Sequence, residues 1–400
     1  MRPLAIPLLA IAALTAAAGC GSTSRAPGAT ASDVVVLRSG DGRLLAVDPA
    51  GGGPARTLAA AAAGRGWRRV YVATTLPGGA TRVAAVDPAT GRTIRARRLP
   101  GRWALPSTVT AGPPDALSPD GSTLVLRRTG GDGSAFALLD AGLDRPPRTV
   151  TLPGAFAYDA LGPRGLLFLI EPRPADGPGH YRVRAYDLAR GQLRAGAIVD
   201  KRELDEPSMT GEPTARTTTP DGDWVFTLYR NARKGPFVHA LGAQDGIAFC
   251  IDLPRAARSN DAAARAWGLA LSPGAGTLYA ANPVLGLVVE IGTDSNAVRR
   301  VARIPRSPAQ PVATAPLVSP QGEALYVPSG RGIEVVDTTT LAPGRRLLAG
   351  TAVRGLAAPA GGRRLYAATA AGELVGLDPR TGHVMARTRA PGAPVGVITR

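Results

Sequence analysis

Two cysteines in 400 residues leave no room for covalent bracing. Cys20 ends an apolar leader and Cys250 stands alone in an apolar stretch, so no disulfide framework exists and packing must hold the core. With no histidine near it in sequence, Cys250 reads as a small buried hydrophobe, not a nucleophile. Histidine is scarce too. His180, His239 and His383 are the whole set, and no HxH, HxxxH or His–carboxylate spacing marks a metal site. His239 reads as a satisfied strand residue. Helical periodicity is missing, and with it any phosphate loop running into a helix. Gly130-Gly131-Asp132-Gly133 is a hairpin turn, and Asp132 and Asp176 lack the regular oxygen-ligand spacing of a calcium loop. Nothing calls for a cofactor. Aromatics are only 4% and are not interleaved with the arginines, which argues against a stacking platform for nucleic acid. Lysine is nearly absent. Lys201 and Lys234 are the only two among 47 basic residues, and the net charge is +17. Attraction to headgroups or wall polyanions is one reading of that charge, and the drift of GC-rich coding toward arginine is the other.

What the chain has in abundance is punctuation: 50 glycines and 37 prolines. Leu117-Ser118-Pro119-Asp120-Gly121 recurs as Leu161-Gly162-Pro163-Arg164-Gly165, Thr219-Pro220-Asp221-Gly222, Leu271-Ser272-Pro273-Gly274, Val318-Ser319-Pro320-Gln321-Gly322 and Ala358-Pro359-Ala360-Gly361. An apolar strand follows each copy. The prolines step by 44, 57, 53, 47 and 39 residues, a repeat length that reads as the four-stranded blade of a β-propeller. Each copy is a turn between a blade's inner strand a and its strand b. Pro presets φ at the second turn position, and the glycine, Gly274 included, takes the positive φ.

A second turn joins strands c and d: Val86-Asp87-Pro88 and Leu377-Asp378-Pro379, with weaker copies at Asp48, Asp187 and Asp337. These aspartates read as turn formers whose carboxylates accept backbone N–H groups two residues on, not as catalytic acids. Strands b, c and d of a first blade fall at about 33–58. Complete blades are expected at about 59–99, 114–152, 155–199, 213–253, 266–304, 312–349 and 353–389. Residues 394–399 look like a strand a without a blade and would complete the first one, closing the ring and removing its open edges. The expectation is an all-β propeller of eight blades over residues 33–400. Seven remains open, because strand a near 59–63 is an uninformative alanine run.

Residues 1–19 form a leader with Arg2 ahead of an apolar run, too short to span a bilayer. It ends in Ala17-Ala18-Gly19-Cys20, which resembles the lipobox of bacterial lipoproteins, with Ala17 where leucine is usual. That resemblance implies lipidation at Cys20, a flexible tether over 20–32 and an extracytoplasmic, membrane-anchored domain. An ordinary secretory signal cleaved near Gly19 is the alternative.

The Ser-Pro-Asp-Gly turns and strand texture resemble YVTN-type and WD40-like bacterial propellers. The stretch Trp224 to Tyr229, then Pro236 to Leu241, then Ala248 to Pro254 is similar to one in exported actinobacterial propeller lipoproteins. This implies fold and origin, not chemistry.

Nearly all the long connections are of the b–c and d–a kind, which propeller topology puts on one face: 100–113, 171–180, 200–212, 230–236, 254–265 and 304–311. Loops on a rigid scaffold are where binding residues concentrate. The candidate binding residues there are Arg102, Arg173, Lys201, Arg202, Asp205, Arg230, Arg233, Lys234 and Arg258. Arg255, Arg265, Glu171, Asp176, Glu203, Glu206 and Glu212 accompany them, and 254–266 is expected to carry a short helical turn. The favoured function is a monomeric, non-enzymatic module that binds an envelope protein or ligand through this face. The alternative is a propeller enzyme. A quinoprotein dehydrogenase would need a vicinal Cys pair and Trp67, Trp103, Trp224 and Trp267 in phase. A lyase would need paired axial histidines. A lactonase-like carboxylate site remains open.

Overall fold

The structure is a computed structural model, and it describes residues 33–50, 56–109, 114–130, 133–202, 208–231, 234–254, 261–308 and 314–399. These residues form eight antiparallel sheets, one per blade, each running outward from strand a to strand d. Among them the only α-helix is Asp261–Arg265, the short turn expected before blade 6.

Blade 1 takes its strand a from the far end of the chain. Ala393–Ile398 pairs antiparallel with strand b, Val34–Arg38, which is followed by Leu44–Val47 and Arg56–Leu58. Blade 2 begins with Ala62–Ala63, so the alanine run is a two-residue strand a paired with Val70 and Tyr71, and the count is eight. Strand a of blade 3 is reduced to a bridge between Leu117 and Leu124. Blades 5, 6, 7 and 8 are complete four-stranded sheets.

The strands hold because their alternate residues meet across blade boundaries. The buried apolar side chains fall into eight clusters, one at each contact between neighbouring blades. Each fully buried Val, Leu or Phe contributes about 1.5–3 kcal/mol. The seam between blades 8 and 1 is reinforced. The Asp33 carboxylate accepts a bond from the Tyr366 hydroxyl at 2.6 Å and one from Arg364 at 3.2 Å. Burial, and then that bond to Asp33, raise the Tyr366 pKa. On the other side of blade 1, the Trp67 indole of blade 2 packs against Gly396 of the closing strand, where any Cβ would overlap it.

The turns follow the local chemistry with two exceptions, and in one, blade 8, the left-handed residue is Gly362 (φ 64°), not Gly361, in a turn that closes from its N–H to the Pro359 carbonyl. Gly121, Gly165, Gly222 and Gly322 all take positive φ. In blade 6 the left-handed residue is Ala275 (φ 56°), not Gly274. The turn closes from the Ala275 N–H to the Ser272 carbonyl, which places the left-handed residue two after the proline, as in those four. The c–d aspartates accept backbone N–H groups as expected, Asp87 from Ala89 and Thr90, Asp187 from Ala189 and Arg190, and Asp378 from Arg380 and Thr381.

Candidate functional site

Blade 5 carries a polar row where its neighbours are apolar. Arg216, Thr227, His239 and Cys250 stand opposite one another across strands a to d, Glu212–Thr218, Trp224–Asn231, Gly235–Gly242 and Ile247–Asp252. The row faces blade 4, whose strand a is Ala157–Leu161. There Arg216 donates to Asp159 Oδ1 at 2.7 Å and to the Asp159 carbonyl at 2.8 Å. Asp115, at the start of blade 3, lies 2.8 Å from Arg216 Nε. The Arg216 and Asp159 side chains are only 8% and 7% exposed, so this ion pair is held away from water. Burial works against the Arg216 charge, and Asp115 and Asp159 outweigh it, so its pKa rises.

The same contacts join the inner strands of blades 3 and 5 across blade 4. Pro119 and Gly222, in the a–b turns of blades 3 and 5, touch in the same way. The Thr108 hydroxyl donates to Asp115 at 3.2 Å, tying the long 100–109 connection into the cluster. Burial keeps the neighbouring tyrosines, Tyr158, Tyr181 and Tyr229, protonated and pushes the His239 pKa down. The His239 Nε2 finds no hydrogen-bond partner among the described residues. Charges saturated by partners and titratable groups held neutral make this a brace that sets the relative position of three blades.

Above the brace, the connections of blades 4 and 5 gather the charged residues. On the b–c hairpin of blade 4, Arg173 and Arg182 approach Asp176 at 3.6 and 3.8 Å, and Arg184 pairs with Glu171 at 3.0 Å. In blade 5, Arg230 pairs with Glu212 at 2.5 Å, and Asn231 accepts from the Lys234 N–H. His180 Nδ1 meets the Ser208 hydroxyl at 3.0 Å. Arg102 is exposed on the connection into blade 3.

Lys201 and Arg202 take another place. Strand d of blade 4 runs only over Gln192–Leu193, touches strand c again at Ile198, and resumes at Met209–Thr210. From Ile198 to Arg202 the chain swings out over the outer edge of blade 5. Asp200 bridges Ala248 in parallel and its carboxylate accepts the Cys250 N–H at 2.8 Å. The Arg202 guanidinium lies 4.9 Å from the Phe249 ring centre and donates to the Ser295 and Asn296 carbonyls of blade 6. Topology alone assigns both residues to the loop face. An exposed apolar edge strand draws them to the outer wall instead.

Arg233, Asp205, Arg258, Asp132, Glu203, Glu206, Arg255 and Cys20, with the leader and tether, lie outside the described residues. Among the described residues no cluster of His, Cys, Asp or Glu has the make-up of a metal site. The Arg216 brace escaped sequence reading because its members are 57 and 101 positions apart. An arginine in the middle of the inner strand Glu212–Thr218 was the one local sign of it.

No protein-family model matches the chain, and no curated protein matches it. Solved structures do. Apo AztD from Citrobacter koseri superposes with a TM-score of 0.55 at 12% identity, over 92% of this chain and 98% of that one. The dihydro-heme d1 dehydrogenase NirN, in complex with DHE, gives 0.55 at 15% identity, over 94% of this chain and 77% of NirN. At such identities the likeness is one of fold, an eight-bladed propeller ring.

Proposed function

We propose that the protein is an exported, lipid-anchored propeller that binds an envelope protein or other extracytoplasmic ligand through its loop face. The observation that supports this reading is the mixed-charge collar on blades 4 and 5. Arg173, Asp176, Arg182, Glu171, Arg184, Glu212 and Arg230 lie in partly exposed ion pairs on the two blades that the Arg216–Asp159 pair joins. A rigid support under charged loops is what a recognition surface needs, because less ordering remains to be done on binding.

Crosslinking on intact cells, with capture through the propeller, tests it. Charge reversal at Arg173, Arg233 and Lys234 is expected to reduce capture, and high salt to weaken it, since exposed charges act over about 8–10 Å. Reversal at Arg164 and Arg190, on the opposite turns, is expected to leave capture unchanged. The reverse pattern would place the working surface elsewhere. Anchoring is tested separately: fatty-acid label on the wild type and none on Cys20→Ser is the expected result.

A further inference from the structure

The face opposite the long loops, built from the a–b and c–d turns, is electrically divided. In blades 8 and 2, which flank blade 1, the turns carry exposed Arg68, Arg92, Arg363 and Arg380. The carboxylates of that sector are less exposed than its arginines: Asp48, Asp87 and Asp378 are half-buried in their own turns, and Asp33 is buried against Tyr366. In blades 5, 6 and 7 the sign is opposite. Asp221, Asp245, Asp294, Glu323 and Asp337 are exposed at the turns, and no exposed basic residue lies among the described a–b and c–d turn residues of these blades, although Asp245 pairs with Arg164 of blade 4 and Asp294 with Arg299 of its own outer strand.

The chain enters the fold in the middle of the basic sector. Strand b of blade 1 starts at its turn-face end, directly after Asp33. Between Cys20 and Asp33 lie residues 21–32, a stretch that reaches at most ~40 Å and averages about 20 Å if it behaves as a flexible linker. A lipid at Cys20 therefore holds this sector, ahead of any other, near the bilayer. Among the described residues, two of the four exposed large apolar side chains, Ile94 and Met385, lie on the outer strands of the same flanking blades 2 and 8; Val298 and Val301 lie on blade 6.

We infer that the turn-face sector of blades 8, 1 and 2 docks on an anionic lipid surface, with the acidic sector raised and the loop face directed away from the membrane. The orientation rests on the lipid-anchor reading above, whereas the docking surface itself needs no anchor. Phosphate headgroups suit the site because arginine pairs with phosphate in a forked geometry and keeps its charge.

The chain beginning at Gly21, which retains every described residue, is mixed with phosphatidylcholine vesicles with and without phosphatidylglycerol. The triple variant Arg68→Glu, Arg363→Glu, Arg380→Glu is compared with Arg303→Glu, Arg306→Glu, Arg331→Glu, which makes the same charge change on the opposite, long-loop face of blades 6 and 7. All six positions are exposed, and matched melting curves check that both variants fold. The expected result is salt-sensitive binding to the anionic vesicles only, weakened at least about tenfold by the first triple and less than about twofold by the second. Equal weakening by both triples would mean net charge alone is at work and would overturn the inference. So would binding to soluble polyphosphate without binding to vesicles. Fatty-acid labelling of the full chain reports on the anchor independently: an unlabelled chain whose vesicle binding still depends on the first triple keeps the surface and loses the anchor.

Discussion

Blades 5 and 6 are neighbours built on the same four-strand plan, yet they solve their inner and outer problems in opposite ways. The row Arg216, Thr227, His239, Cys250 in blade 5 corresponds position for position to Leu269, Ala280, Val289, Val301 in blade 6. Each row faces the preceding blade, so blade 6 presents a seam that is dry from Leu269 to Val289, with only the outermost Val301 exposed, where blade 5 presents an ion pair. The outer strands are inverted as well. Ala297–Arg303 of blade 6 guards its edge with Arg299, Arg300 and Arg303, and Arg300 is paired back to Glu290 of strand c. Blades 7 and 8 repeat that device with Glu334–Arg346 and Glu373–Arg387. Ile247–Asp252 of blade 5 has no arginine and is covered by the strap through Asp200 and Arg202. An edge strand invites pairing with another chain unless it is charged or covered, and this ring uses both remedies.

The contrast is broken most severely at Arg216. Arg216→Met leaves Asp115 and Asp159 facing one another without a counter-charge, and loss of one partner from a buried pair costs about 3–5 kcal/mol. Urea unfolding should show a loss of that order. Leu269→Ala at the matching dry position is expected to cost about 2–5 kcal/mol through its cavity alone. Restoring Arg216→Met by adding Asp115→Asn and Asp159→Asn would confirm that stranded charge is the cause. A loss under about 1 kcal/mol for Arg216→Met would mean the cluster is no brace.

Releasing the strap is expected to be milder. Asp200→Ala removes the acceptor of the Cys250 N–H and should cost about 1–2 kcal/mol. Amide exchange at Ala248 and Cys250 should quicken, while exchange along Ala297–Arg303 stays as it was. Unchanged exchange in both strands would show that the strap does not protect the edge.

The a–b turns sharpen the comparison further. Gly222 in blade 5 sits at φ 80° against Pro119, whereas Ala275 does the corresponding job in blade 6 at φ 56°. Ala275→Gly is expected to raise stability by about 1 kcal/mol, since a left-handed non-glycine costs roughly 1–2 kcal/mol. Gly222→Ala should lower it by more, because strain and the Pro119 contact add. Thermal melts of the two variants shifting in the same direction would contradict the turn assignment.

The smallest effect concerns pH. His239 is buried and its folded pKa lies below the unfolded value of about 6.5. The unfolded chain then binds the proton more readily, so its contribution is fully present above about pH 6.5 and is lost as pH falls toward the folded pKa. Replacement by Gln should flatten stability between about pH 5 and 6.5. At lower pH a second decline is expected from Asp337 and Asp378, whose carboxyls are held below the usual range by turn N–H groups, first those of Thr340 and Arg380. That decline begins as pH falls below about 4 and should persist in the His239 variant. A His239 variant with an unaltered profile from pH 5 to 6.5 would show that the ring is not what titrates there.

Much of this was legible in the sequence because it is local. Alternation of apolar residues, Pro-Gly turns near every fiftieth position and the Asp turns all act within a few residues, and they specify the blades before any has met another, except at the alanine run near 59–63, where only pairing with Val70 and Tyr71 decided eight over seven. Even the ring closure is legible, since residues 394–399 have a strand's texture and no blade of their own. The slips at Gly274 and Gly361 are instructive: the left-handed place belongs to the residue whose N–H closes the turn, Ala275 in blade 6 and Gly362 in blade 8, although another glycine stands beside each. What the tertiary structure alone decided lies between segments distant in the chain. Arg216 finds Asp159 and Asp115 only once three blades are packed. Arg202 goes to Phe249 only because the neighbouring edge strand needs cover. The turn face divides by sign only when residues from opposite ends of the chain are brought side by side. Strand texture and turn chemistry are short-range and survive in one dimension, whereas charge pairing, edge protection and the field of a face depend on which surfaces the ring puts together.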